Sequence, residues 1–219
     1  MKKNFTLSEV LITLVIIGII AAITVPLIVS SYQKKILASQ FKKMYSTMEN
    51  AINFVNAQSG TSMECYLYDF YKSDSPYHTS ECTEFWEEFL KQINVIKICE
   101  TDDTTCRPKY KTKEEVLQAG GTQQERSCSH PISAMKGFVL SDGSIFYLYY
   151  MPTTGLPDSP VSTFFGIDVN GIKGPNKWGY DLFYLNLNKK SLNNSTIAIT
   201  ALCELIEKGG QSAESPLQE

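Results

Sequence analysis

Hydrophobic and polar positions divide this chain into successive patterns. From Val10 to Val29 no side chain is charged and nearly all are apolar. About twenty such residues in a helix cross the hydrocarbon of a bilayer, so the run predicts a membrane segment. A secretory signal would stop sooner, at a small-residue cleavage site behind a short apolar region. Here the run passes into "VPLIVSSYQKKILASQFKKMYSTMENAINFV", where Leu37, Phe41, Met44, Met48, Ile52 and Val55 recur at spacings of three and four. That spacing is one face of an amphipathic helix. Nothing stops it before Gly60, so one helix from about Phe5 to Gln58 is expected, roughly 80 Å long at 1.5 Å per residue. Pro26 falls inside it, removing one backbone hydrogen bond and inviting a kink or a local melt.

After Gly60 the pattern is mixed. "ECTEFWEEFLKQIN", Glu81 to Asn94, predicts a short helix with Phe85, Trp86, Phe89 and Leu90 towards one side. "GFVLSDGSIFYLYY", Gly137 to Tyr150, is two aromatic and β-branched runs flanking Asp142-Gly143, a hairpin signal. "TFFGIDVNGIKGPNKWGYDLFYLNL", Thr163 to Leu187, repeats it at Asn170-Gly171 and adds a strand around Leu182 to Leu187. The expected fold class is α+β: an antiparallel sheet with one face covered by the amphipathic half of the long helix. The last residues, "EKGGQSAESPLQE", are polar and lack periodicity, so residues 209–219 are expected to fray.

Composition narrows the functional classes. Of 219 residues, 43% are apolar, and about 160 remain for a single head domain, enough for its own core. The formal charge is -3 and no basic stripe with interleaved aromatics occurs, so nucleic-acid binding is not indicated. All six cysteines, Cys65, Cys82, Cys99, Cys106, Cys128 and Cys203, follow the membrane segment. An even number confined to the head suits disulfides in an oxidising compartment, with fifteen possible pairings. Cys99 with Cys106 is the expected pair, closing the polar loop "CETDDTTC". Zinc has little support, since there is no CxxC and only His78 and His130 could supply nitrogen. Ser127 and Ser129 lie near His130, but no nucleophile elbow surrounds them, so an enzyme is not expected. Lysines complicate topology: Lys34, Lys35, Lys42 and Lys43 after the span outnumber Lys2 and Lys3 before it, against a positive-inside count.

Glu9 is the anomaly of the N-terminal pattern. An ionised acid at bilayer centre costs roughly 2.5 to 3.5 kcal/mol, and less near an end, which allows a simple interfacial role. The surrounding stretch, "KKNFTLSEVLITLVIIGIIAAITVP" from Lys2 to Pro26, resembles the class III signal of type IV pilins and type II secretion pseudopilins. The resemblance implies cleavage by prepilin peptidase between Asn4 and Phe5, N-methylation of Phe5, and a kinking role for Pro26. It also implies that Glu9 neutralises the N-terminal amine of a neighbouring subunit, a pair that favours one register of assembly. Asn4 stands where the family normally carries glycine, sometimes alanine or serine. The organisation implied is a leader 1–4, a transmembrane helix 5–29, its amphipathic continuation 30–58, an α+β head 59–208 and a flexible tail 209–219. The implied partners are identical or related subunits, prepilin peptidase, an inner-membrane assembly platform and lipid. The implied location is the bacterial inner membrane, single-pass, with the head outside the cytoplasm.

Two alternatives stand beside this expectation. Asp168, Asn170, Asn176 and Asp181 cluster oxygen atoms in "DVNGIKGPNKWGYD", and calcium takes such ligands; major pseudopilins bind calcium near this part of their fold. The spacing fails the EF-hand template and Lys173 adds a positive charge, so turn chemistry is the plainer reading; no cofactor is required. For the whole chain, the alternative is an unprocessed, monomeric, membrane-anchored binding domain in which Glu9 is merely interfacial.

Overall fold

The computed structural model describes residues 6–59, 87–101, 103–124, 132–148, 163–191, 194–198 and 204–218. Helix α1 spans Leu7–Ser59, 53 residues with Pro26 inside. The proline ring deprives the Ala22 carbonyl of its partner, yet the backbone stays helical on both sides, with no melted turn. What changes along α1 is its surroundings. Described side chains from Leu7 to Ile36 are exposed, apart from a half-buried Ala21. From Leu37 onward the periodic face closes: Leu37, Phe41, Met44, Met48, Ile52 and Val55 are all buried, together with Ala38 and Ala51.

That face lies on an antiparallel sheet. Its strands are β1 (Val95–Cys99), β3 (Lys136–Leu140), β4 (Ile145–Leu148), β5 (Thr163–Asp168), β6 (Leu182–Ser191) and β7 (Asn194–Ala198), paired in that order. A second sheet pairs β2 (Thr122–Gln124) with β8 (Glu204–Ile206). Short helices occupy residues 87–92 (α2), Lys113–Gln118 (α3) and Ser215–Gln218 (α4). The α+β class is therefore observed.

Strand β4 shows why its sequence is apolar at every position. All four of its residues are buried, with Phe146 and Leu148 on the α1 side and Ile145 and Tyr147 on the other. A strand covered on both faces loses polar alternation. On the α1 side the core is aromatic: Phe41 meets Phe183 edge-on at 4.6 Å between ring centres, and Phe89 of α2 meets Phe146 at 5.4 Å. Such contacts add to area burial. On the other side Ile145, Tyr147 and Leu182 pack with Val116 of α3, Ile132, Met135, Trp178 and Leu205. Helix α3 is fixed by reciprocal capping, since Thr112 accepts from the Glu115 N–H and Glu115 from the Thr112 N–H.

The first expected hairpin is present. Strands β3 and β4 join through Ser141, Asp142 and Gly143, with the Leu140 N–H donating to Ser144 at 2.9 Å and Gly143 at φ 89°. The second is corrected. Asn170-Gly171 does not turn a tight hairpin: β5 and β6 do pair, Asp168 opposite Leu182, but residues 169–181 form a long loop containing a 3-10 turn, Gly171–Lys173. Gly171 is required for another reason, because at φ 58° a Cβ there would overlap the Gly143 carbonyl oxygen. The loop crosses over the first hairpin at this glycine.

The C-terminal expectation is also corrected. Ala213 and Pro216 are buried, and Leu217 packs against the α1-side core. Backbone bonds replace periodicity: Gln211 N–H donates to Gly179 at 2.8 Å, and Ala213 N–H to the Glu204 carboxylate at 2.7 Å. These residues strap the sheet rather than fray.

Replacing Phe41, fully buried, with alanine is expected to cost about 3–5 kcal/mol of head stability. Replacing Phe54, 45% exposed on the same helix, should change it by less than about 1 kcal/mol. Denaturant titration of the detergent-solubilised chain, read by near-ultraviolet circular dichroism, checks both.

Candidate functional site

Two constellations of polar residues stand out, one at the start of α1 and one in the β5–β6 loop. At the first, Thr6 and Glu9 bind reciprocally. The Thr6 N–H and hydroxyl donate to Glu9 Oε2 at 2.8 and 2.9 Å, and the Glu9 N–H returns to Thr6 Oγ1 at 3.3 Å. This is a capping box, in which two orphan donors of the first turn are satisfied and a negative charge meets the positive end of the helix dipole. The Thr-x-x-Glu spacing was present in "TLSE" but was eclipsed by the membrane context. Asn4 and Phe5 lie outside the described residues.

In the second, Asp168 and Asp181 mark the ends of the loop and both are fully buried. Asp168 Oδ1 accepts the Asn170 and Gly171 N–H groups at 3.1 and 2.6 Å; its Oδ2 accepts the Tyr110 hydroxyl at 2.6 Å. Asp181 accepts the Asn176 and Lys177 N–H groups, each at 2.7 Å. Asn176 adopts φ 55°, the left-handed region, and Asn170 Nδ2 donates to the Gly174 carbonyl at 2.6 Å. The four oxygen-bearing residues are thus in one loop, but its carboxylates serve as acceptors for the chain's own donors. A calcium ion at those oxygens would have to displace them. The buried Oδ1 atoms of Asn170 and Asn176 accept no hydrogen bond from the described residues. No metal-binding group of three or more His, Cys, Asp or Glu occurs among the described residues. Lys173 is exposed.

Sequence reasoning missed the aromatic half of this brace. Tyr110 and Tyr147 share a hydrogen bond of 2.8 Å, and Trp178 Nε1 donates to the Lys111 carbonyl at 2.9 Å. Burial raises both tyrosines, and for Tyr110 the Asp168 charge raises it further. Arg107 was missed as well. It is 8% exposed, lies over the Tyr147 ring, and donates to the carbonyls of Ile132, Met135 and Thr101 at 2.5, 2.8 and 2.9 Å. "CRPKY" carries no local pattern for these roles, because these partners, Thr101 excepted, lie tens of residues away. The expected Cys99–Cys106 pair is at bonding distance and buried, with Cα atoms 5.7 Å apart. Cys65, Cys82, Cys128, Cys203, His78, His130, Ser127, Ser129, Phe85 and Trp86 lie outside the described residues.

Electrostatically the loop is strained by its own acids. Burial and then the Asp181 charge push Asp168 up to about 7, against the Tyr110, Asn170 and Gly171 donors that pull it down. Burial foremost raises Asp181, with Glu207 adding to it and the backbone donors opposing. Glu207, itself buried, is held by Lys111 at 2.7 Å. Comparisons with family models, curated proteins and solved structures return no match.

Because Asp168 is raised in the fold, it contributes stability that is fully present below its unfolded value, about 4, and lost as pH rises through 7. The unfolding midpoint is therefore expected to fall from pH 5 to pH 8. Asp168→Asn should flatten that slope, which parallel thermal melts of the two proteins would reveal. An equal slope in both would place the titration elsewhere.

Proposed function

We propose that this chain is a structural subunit, of pilin or pseudopilin type, that is anchored in the membrane through α1 and polymerises through it. One observation carries the reading: a single helix is exposed and apolar in its first half and buried on a sheet in its second. The first half is long and apolar enough to cross a membrane, and none of its described residues is buried within the chain. A contiguous apolar surface of that size needs a cover. Lipid is the cover before assembly and neighbouring α1 helices after it. In this reading prepilin peptidase cuts between Asn4 and Phe5, Phe5 is N-methylated, and Glu9 meets the amine of a neighbour. Pro26 is the compliant point of the packed helices, and the role needs no cofactor.

The capping box favours a second reading, because Thr6 already gives Glu9 a partner within one chain. In that reading the chain is an unprocessed, monomeric, membrane-anchored binding domain. Intact mass and N-terminal sequencing of the native protein separate the two. A chain beginning at Phe5 with one added methyl group is expected; a chain retaining Met1 to Asn4 in cells with active peptidase would overturn the first reading.

The two roles of Glu9 also separate by substitution. Glutamine at this position still closes a capping box but carries no charge. Glu9→Gln is therefore expected to leave insertion intact and impair filament incorporation, as is expected of Glu9→Ala. Assembly of Glu9→Gln at the normal level, with failure confined to Glu9→Ala, would reduce the acid to a helix cap.

A further inference from the structure

The lysines that conflict with the positive-inside count are not isolated in the fold. Lys34 and Lys35 follow Val29 by five and six positions on α1, and two distant segments bring further lysines to the same place. Tyr180, in the β5–β6 loop, has the Lys34 and Lys177 ammonium groups 6.0 and 5.6 Å from its ring centre. Its hydroxyl donates to the Lys208 carbonyl at 2.9 Å. One tyrosine thus gathers α1, the loop and the turn after β8.

Among the described residues the lysines of this collar form no ion pair. Lys34, Lys35, Lys177 and Lys208 are all exposed. Among the described residues the ion pairs use Lys43, Lys91, Lys111 and Lys136 instead. Acids do lie close in sequence, yet Asp168 and Asp181 are buried against other donors and Glu207 is taken by Lys111. Like charges gathered around one tyrosine repel one another, and no ion pair among the described residues relieves them.

Their position says what does. Lys34 lies five helical residues beyond the uncharged run, about 7.5 Å along the axis. That is within about one Debye length, 8–10 Å, of a bilayer surface at physiological salt. We infer that the lysine collar is a docking surface for anionic phospholipid headgroups of the leaflet next to the head. An ammonium is a compact point charge that suits a phosphate without demanding a fixed geometry, and Tyr180 brings the Lys177 ammonium and the Lys208 backbone beside Lys34. Docking sets the head down on the membrane while the subunit awaits assembly. It also gives the lysines after the span an anionic partner on the side where the positive-inside count does not expect them. The inference rests on reading α1 as a membrane anchor.

The full chain placed in two kinds of nanodisc tests it, one of phosphatidylcholine and one containing phosphatidylglycerol. Acylation by a water-soluble amine reagent is followed residue by residue by mass spectrometry. Lys34, Lys177 and Lys208 are expected to react roughly fivefold or more slowly in the anionic discs. Concentrated salt should remove the difference, and Lys91, paired with Glu88, should show none. The double variant K177Q/K208Q should release Lys34 from protection without changing the unfolding midpoint. Equal rates in the two discs, with the chain still disc-bound, overturn the docking alone. A chain that does not stay with either disc overturns the anchor reading and the docking with it.

Discussion

The fold depends on one helix whose two halves meet different surroundings. Helix α1 is uninterrupted from Leu7 to Ser59, but its requirements change at Leu37. Beyond that residue the helix is stabilised as any surface helix is, by burying a stripe against a sheet. From Val10 to Val29 the side chains are uncharged and nearly all apolar, and those described are exposed apart from a half-buried Ala21. Helical hydrogen bonding satisfies the backbone in both environments, so the boundary needs no loop or hinge. The six-stranded sheet and the second core behind β4 are organised around the buried half. Even the C-terminal strap returns to it, through Ala213 and Leu217.

Behind the sheet, polar groups rather than apolar area hold the irregular segments. Arg107 collects carbonyls from two loops, and Asp168 and Asp181 collect N–H groups from the ends of a third. A buried polar group costs free energy when unpaired and is tolerable when its partners are complete. The loop can therefore do without strand or helix. The same acids make it sensitive to proton concentration, because two buried carboxylates close enough to interact disfavour each other's charge.

What could be read in the sequence was whatever repeats locally. The periodic face of α1 was legible to the residue: all six positions from Leu37 to Val55 are buried. So was the turn at Asp142-Gly143, where composition and geometry agree. Asn170-Gly171 carried the same signal with another meaning, since Gly171 answers to the Gly143 carbonyl from a different hairpin. No local pattern records such a crossing. Tyr110, Tyr147 and Arg107 were invisible for the same reason. The C-terminal strap was misjudged because backbone hydrogen bonds to distant carbonyls leave no hydrophobic period. The capping box is the instructive case: its signature was local, but a carboxylate beside an apolar run drew attention to the membrane and away from the helix end.

An unbroken helix is also a mechanical element. A rod of 53 residues, roughly 80 Å long at 1.5 Å per residue, transmits axial load from one end to the other with little loss. Load applied to the apolar half reaches the head as shear along the Phe41, Met44, Met48 and Ile52 face. Interlocked side chains resist sliding better than a flat contact of the same area. Bending is different. With the Ala22 carbonyl unpaired, Pro26 is the softest point of the rod, and it lies on the exposed half, clear of the buried face that begins at Leu37. The chain is stiff in push and pull, and flexes at a point where no contact among the described residues has to be broken.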